Sequence, residues 1–332
     1  MDDIASVTPD GDSSARSDGA TIGAATDTRR EFLRMASALT LSIPALGMAV
    51  AACAEPQHPA GAAGQRPAPP TVSNPDSKLD SGLAVVNGSG VTMPNAASVP
   101  YRTYDPALPP LSADRTYRIH VHTREAPIRI NDDTVVAAWT FEGEMPGPIL
   151  HCRVGDTVEV LLTNEVVMPH SIDLHAAQVD PKTAFRSVTK GQSVSFTFTP
   201  KYAGAFLYHC GSAPVLLHLG SGMFGAIIVS PREPLPPAKE FVLVQSELYL
   251  GATAGGIRPF DYQRMLDTLP DFVVFNGRPD QYGRTPIRVK HGDRVRFWVV
   301  NAGPTHPCAF HVVGEQFDTV YLAAPPGNAL HG

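Results

Sequence analysis

Charge is scarce in this 332-residue chain: Asp, Glu, Lys and Arg make up 17% of it, the formal net charge is −6, and the lysines and arginines are scattered. Without a basic patch there is no electrostatic footprint for a nucleic-acid partner. Long 3.6-period apolar patterns are also missing, which argues against a helical bundle and leaves strand-like alternation as the main signal. Cysteine is rare as well. There are four in the whole chain, so the one inside "LYHCGSAPVLLHLGSGMFG", which begins at Leu207, needs a chemical reason. What is present is a composition 43% hydrophobic, enough for two cores of ordinary size in an all-β chain.

Residues 1–53 read as an address. "TRREFLR" pairs Arg29 and Arg30 ahead of an apolar run that is too short and too rich in small residues for a comfortable membrane span. This resembles a twin-arginine export signal, and "VAAC" resembles a lipobox whose Cys53 is acylated. The expectation is a periplasmic or cell-envelope protein that touches the membrane only through a lipid anchor. Residues 54–111 are rich in Pro, Gly and Ser and read as an extended tether, because such a segment buries too little apolar surface to offset its ordering entropy.

From residue 112 the alternation is regular. "RTYRIHVH" sets Tyr117, Ile119 and Val121 on one face and Arg118, His120 and His122 on the other, the latter read as a solvated strand face. A loose repeat follows: "FEGEMPGPILHCRVGDTVEVLLTN" and "FNGRPDQYGRTPIRVKHGDRVRFWVVN" share F-x-G, a later G-D-x-V and an asparagine nine residues beyond that glycine. Two related β-sandwiches in tandem are predicted, over 112–235 and 236–332, the second incomplete.

The chemistry falls on strands. In "MPHSIDLHAA", His170 points to the core side and Asp173 and His175 to the other; in "AFLYHC", Cys210 and His209 divide in the same way. His170, Cys210 and His218, with Met223 as a long thioether, form a His2Cys set that suits blue-type copper, whereas zinc would ask for a fourth strong ligand.

"MPHSIDLHAA", "YHCGSAPVLLHLGSGMFGAIIV", "FDYQRMLDTLPDFVVFNG" and "NAGPTHPCAFHVVGEQFDTVY" resemble the copper-containing, nitric-oxide-forming nitrite reductases of the two-domain cupredoxin family, in their short-loop class. The resemblance implies two tandem cupredoxin-like Greek-key sandwiches, with type 1 copper on His170, Cys210, His218 and Met223 and type 2 copper on His175 and His209. It also implies a third type 2 histidine from a neighbouring subunit of a homotrimer, a residue expected to be absent from this chain because the family places it beyond the point where this sequence ends. Asp173 and His311 would handle protons, and Val313 would cap the nitrite pocket. A small cupredoxin or c-type cytochrome would supply the electron, which would pass through Cys210 and His209. After Leu322 the tail leaves the family pattern, so a truncated copy is expected, with an anchored type 1 electron carrier or an inactive fragment as the alternative reading. A laccase-like oxidase is disfavoured because Gly211, not histidine, follows Cys210.

Overall fold

The computed structural model describes residues 93–321 and the backbone of Ala329–His331. The expected export signal, Cys53 and residues 54–92 of the expected tether lie outside the described residues. The strands are β1 (Thr116–Arg129), β2 (Val135–Phe141), β3 (Leu150–Arg153), β4 (Thr157–Asn164), β5 (Asp173–Leu174), β6 (Ser193–Phe198), β7 (Gly204–His209), β8 (Phe224–Ser230), β9 (Lys239–Leu248), β10 (Ile257–Pro259), β11 (Phe272–Phe275), β12 (Val295–Gly303), β13 (Thr319–Tyr321) and β14 (Ala329–His331). Short helices α1 (Pro181–Ala184), α2 (Val215–Gly220), α3 (Tyr262–Leu266) and α4 (Gln281–Arg284) lie in the connections. The fold is all-β and cupredoxin-like.

A five-stranded sheet in the order β10-β2-β1-β4-β6 packs on a four-stranded sheet in the order β3-β8-β7-β5. The core between them is built by alternation. Strand β4 buries every second residue, sending Val158, Val160 and Leu162 against Cys152, Tyr208, Ile227 and Val229 of the opposing sheet. Strand β8 does not alternate, and its residues Phe224–Val229 are all buried. The reason is a third layer, in which Phe224, Ala226 and Ile228 face a second core with Val242, Val244, Trp298 and Val300 of the sheet β11-β9-β12.

The repeat seen in sequence is also a repeat of pairing. Strand β1 runs antiparallel to β2 and parallel to β4, and β9 runs antiparallel to β11 and parallel to β12. The two F-x-G turns match as well: Glu142 and Gly143 have φ of 60° and 78°, Asn276 and Gly277 of 52° and 72°. A side chain on Gly277 would strike the carbonyl oxygen of Met145, so the turns from the two repeats press directly against each other.

Residues 93–111, which composition assigns to the tether, form a packed strap instead. The Tyr104 amide donates to Gln281 Oε1 at 2.7 Å, Gln281 Nε2 returns a bond to the Tyr104 carbonyl at 2.8 Å, and Tyr104 OH donates to Gly147 O. Pro106 O accepts from Val242 N, and Leu108 N donates to Glu240 O. Proline carries no N–H, and the bonds above tie the segment to both repeats.

Two candidate metal centres

The first group of donors is assembled from three separate pieces of backbone. His170 is fixed by paired bonds with Val188 (N to O 3.1 Å, O from N 2.8 Å), Cys210 follows the end of β7, and His218 sits on α2, whose N-cap position is Pro214. Gly222 closes the turn after α2 at φ 115°, and a side chain there would strike Trp139 O and Met145 Sδ. All three donor residues are buried.

The donor atoms stand 3.0 Å (His170 Nδ1 to His218 Nδ1), 3.3 Å (Cys210 Sγ to His218 Nδ1) and 3.7 Å (Cys210 Sγ to His170 Nδ1) apart. A point equidistant from all three lies about 2 Å from each, close to ordinary metal–imidazole and metal–thiolate lengths. Met223 is fully buried beside them, its amide donating to His218 O at 3.2 Å and its carbonyl accepting from Cys210 N at 3.1 Å. Burial lowers the His170 imidazole to about 3, with His218 adding to the shift, and burial lowers His218 to about 4. Both rings are therefore neutral near pH 7 and offer lone pairs. Burial pushes the Cys210 thiol up, while hydrogen bonds from the amides and hydroxyls of Ser171 and Ser212 pull it back toward the thiolate that a soft metal needs.

The second group lies on the other side of the same strand end. Register pairs Asp173 of β5 with His209 of β7. His175 Nε2 and His209 Nε2 stand 3.1 Å apart, and the Asp173 carboxylate offers an oxygen within 4.8 Å of both. His209 Nδ1 is 2.9 Å from the carbonyl oxygen of Cys210. That bond places the proton on Nδ1 and leaves the Nε2 lone pair free for a metal. Here His209 is buried, Asp173 half-buried and His175 exposed, as a site open to a small ligand requires.

Two residues at the first group were not singled out in the sequence. Trp139 packs its indole against both imidazoles, with ring centroids 5.4 Å from His170 and 5.0 Å from His218. Ser171 donates its amide to Cys210 Sγ at 3.4 Å and accepts from Gly211 N at 2.9 Å through its hydroxyl. Its place between His170 and Asp173 was the available signal. Cys152 is buried in the first core, and burial raises its thiol to about 12, which makes it a packing residue. His120 and His122 lie side by side with tilted rings, centroids 4.2 Å apart, and His122 Nδ1 pairs with Glu142 Oε1 at 2.8 Å.

Within one chain, His311 and Val313 are not brought to either group. They sit on the irregular segment after β12, both exposed, Val313 at 88%. The physical reason is pairing: β5 is ordered by β7, whereas among the described residues no strand pairs with the corresponding segment of the second repeat.

A fold of cupredoxin-like repeats carrying a buried His2Cys group is that of a cupredoxin-type copper protein. Consistent with this, a family model described as multicopper oxidase matches residues 120–234. The chain is 33% identical to a copper-containing nitrite reductase of Rhizobium sullae over 68% of each chain, and 38% identical to one of Neisseria meningitidis serogroup A over 66% of this chain and 60% of that one. A solved copper nitrite reductase from Nitrosomonas europaea superposes with a TM-score of 0.59 at 35% identity, covering 65% of this chain and 78% of that one. The chain belongs to the copper-containing nitrite reductase family. It spans about three fifths of the length of the Neisseria relatives.

Proposed function

We propose that the chain reduces nitrite by one electron to nitric oxide, consuming two protons and releasing water. The observation that carries this reading is the adjacency of Cys210 and His209, bonded neighbours that belong to different donor groups. In this reading His170, Cys210 and His218 hold type 1 copper with Met223 as the weak fourth donor, and His175 and His209 hold type 2 copper. Copper, when bound, supplies a one-electron couple at the buried group and a Lewis-acidic position for an anion at the open one.

The rest follows from the chain's own residues. The covalent link from Cys210 to His209 is the shortest path between the groups, and to it we assign the electron's passage. The Asp173 carboxylate, beside the two imidazoles and half-exposed, is placed to hold a proton for the departing oxygen. His311 and Val313, exposed and remote from these donors in one chain, are suited to serve the open site of a neighbouring copy, as a homotrimer would arrange. A small cupredoxin or c-type cytochrome as donor, twin-arginine export, a cell-envelope location and lipidation at Cys53 complete the proposal.

A second reading, an electron carrier using the type 1 group alone, is favoured by the contrast between three fully buried donors there and two imidazoles with a carboxylate at the open group. Nitrite-dependent nitric oxide release by the copper-loaded chain, reduced with an artificial donor, separates the two. Loss of that release in Asp173→Asn with the visible copper band intact supports the enzyme; a parent chain that takes up copper but releases no nitric oxide supports the carrier.

A further inference from the structure

Glu247 is a carboxylate that the copper chemistry does not use, yet it is 1% exposed in the second repeat. Among the described residues its one ion-pair neighbour is His306, whose Nδ1 is 3.7 Å from Oε2. A buried carboxylate without Lys or Arg is costly unless hydrogen bonds replace its water. Here four donors do so. Thr305 N (2.7 Å), Thr305 Oγ1 (3.1 Å) and Tyr249 OH (2.8 Å) donate to Oε2, and His306 N (3.0 Å) donates to Oε1. Two of these are consecutive backbone amides of the segment that follows β12.

Two more side chains hold the same segment. Asn301 Nδ2 donates to His306 O at 2.9 Å, and Gln245 Nε2 donates to Pro307 O at 3.2 Å. Residues 305–307 are thus gripped from β9 and β12, and four residues later the chain presents His311 with no hydrogen bond or ion pair of its own among the described residues. The segment from 304 to 318 has no regular structure, so its course is set where it is anchored.

We propose that Glu247 is the positioning residue for His311, fixing through the amides of Thr305 and His306 the segment that delivers His311 and Val313. This rests on the assignment of His311 to proton handling, and it adds a determinant in a strand that touches neither donor group. Bonds to an ionised acceptor are about twice as strong as neutral ones, which suits a carboxylate as the anchor. Glutamine at 247 would keep the shape but offer a single acceptor oxygen and present an N–H2 where the segment already supplies donors.

The test compares Glu247→Gln, His311→Ala and the double variant in the copper-loaded full chain, reading amide exchange and nitrite turnover. Glu247→Gln is expected to keep the visible copper band and to speed exchange of the Thr305 and His306 amides about tenfold. It should lower turnover about tenfold through misplacement alone. The double variant should be no slower than His311→Ala, because the two changes remove one function. Unchanged exchange in folded Glu247→Gln, or a turnover loss that adds fully to that of His311→Ala, would overturn the proposal. If His311→Ala turns over at the parent rate, the proton-handling role of His311 falls first, and the exchange result still decides whether Glu247 anchors the segment. Should Glu247→Gln fail to fold, Thr305→Ala, which removes one hydroxyl donor, is expected to move both readouts the same way by about threefold; no movement contradicts the proposal.

Discussion

His209 and Cys210 are joined by one peptide bond, and the carbonyl of Cys210 accepts the Nδ1 proton of His209 at 2.9 Å while the two side chains enter different donor groups. The contact is more than proximity. It sets the tautomer that frees His209 Nε2, so the residue that ends one centre also orients a ligand of the other.

Serine at position 210 removes the only thiolate donor of the buried group. Cys210→Ser is expected to abolish the intense visible absorption of the copper-loaded chain and to leave copper binding at His175 and His209, as read by visible spectroscopy with metal analysis.

Asparagine at position 173 keeps the size and removes the charge and the exchangeable proton. Asp173→Asn is expected to lower nitrite turnover by about 10²-fold with the visible band unchanged. Steady-state assays across pH check it, and full activity would show that the carboxylate is a bystander.

The metal-free chain should lose stability on acidification. His170 and His218 titrate at about 3 and about 4 in the folded chain, both below the ordinary value of 6.5. Between those limits the unfolded chain binds protons that the folded chain refuses, so stability is fully present above about 6.5 and falls as pH drops through 6 and 5 toward 4. Denaturant melts of the metal-free chain should show a midpoint that falls over this range, and copper should suppress the fall by competing for the same lone pairs.

Truncating Trp139 should act on both imidazoles at once. Trp139→Ala is expected to cost about 3 to 5 kcal/mol in unfolding free energy and to broaden the visible band as the ligands gain freedom. Ser171→Ala leaves the half-buried Gly211 amide without its acceptor and is expected to cost about 1 kcal/mol.

Strand alternation is a local rule, whereas the grouping of His175 with His209 came from the family resemblance. Alternation separated His170 from Asp173 and His175, and Cys210 from His209, without knowledge of which strands pair. Ser171 escaped that rule, since it is buried against Cys210 although it alternates with the core residues. Trp139 lies in β2, where every residue is buried, so the pattern reports burial but not which imidazoles the ring meets. Apart from Tyr249, Glu247 finds its donors 58 and 59 residues further on, and "QSELYL" alone does not announce a buried anchor. The strap at 93–111 was hidden by composition, because prolines that suit a tether also suit a segment pinned by a few bonds.

Paramagnetic resonance of the copper-loaded chain, with nitric oxide measured on the same sample, tests the central claim most directly. Two signals are predicted: one with small hyperfine splitting that Cys210→Ser removes, and one with ordinary splitting that His209→Ala removes. Nitrite-dependent nitric oxide should be lost in both variants. A single small-splitting signal in the parent chain, with no nitric oxide, would contradict the account and leave an electron carrier in its place.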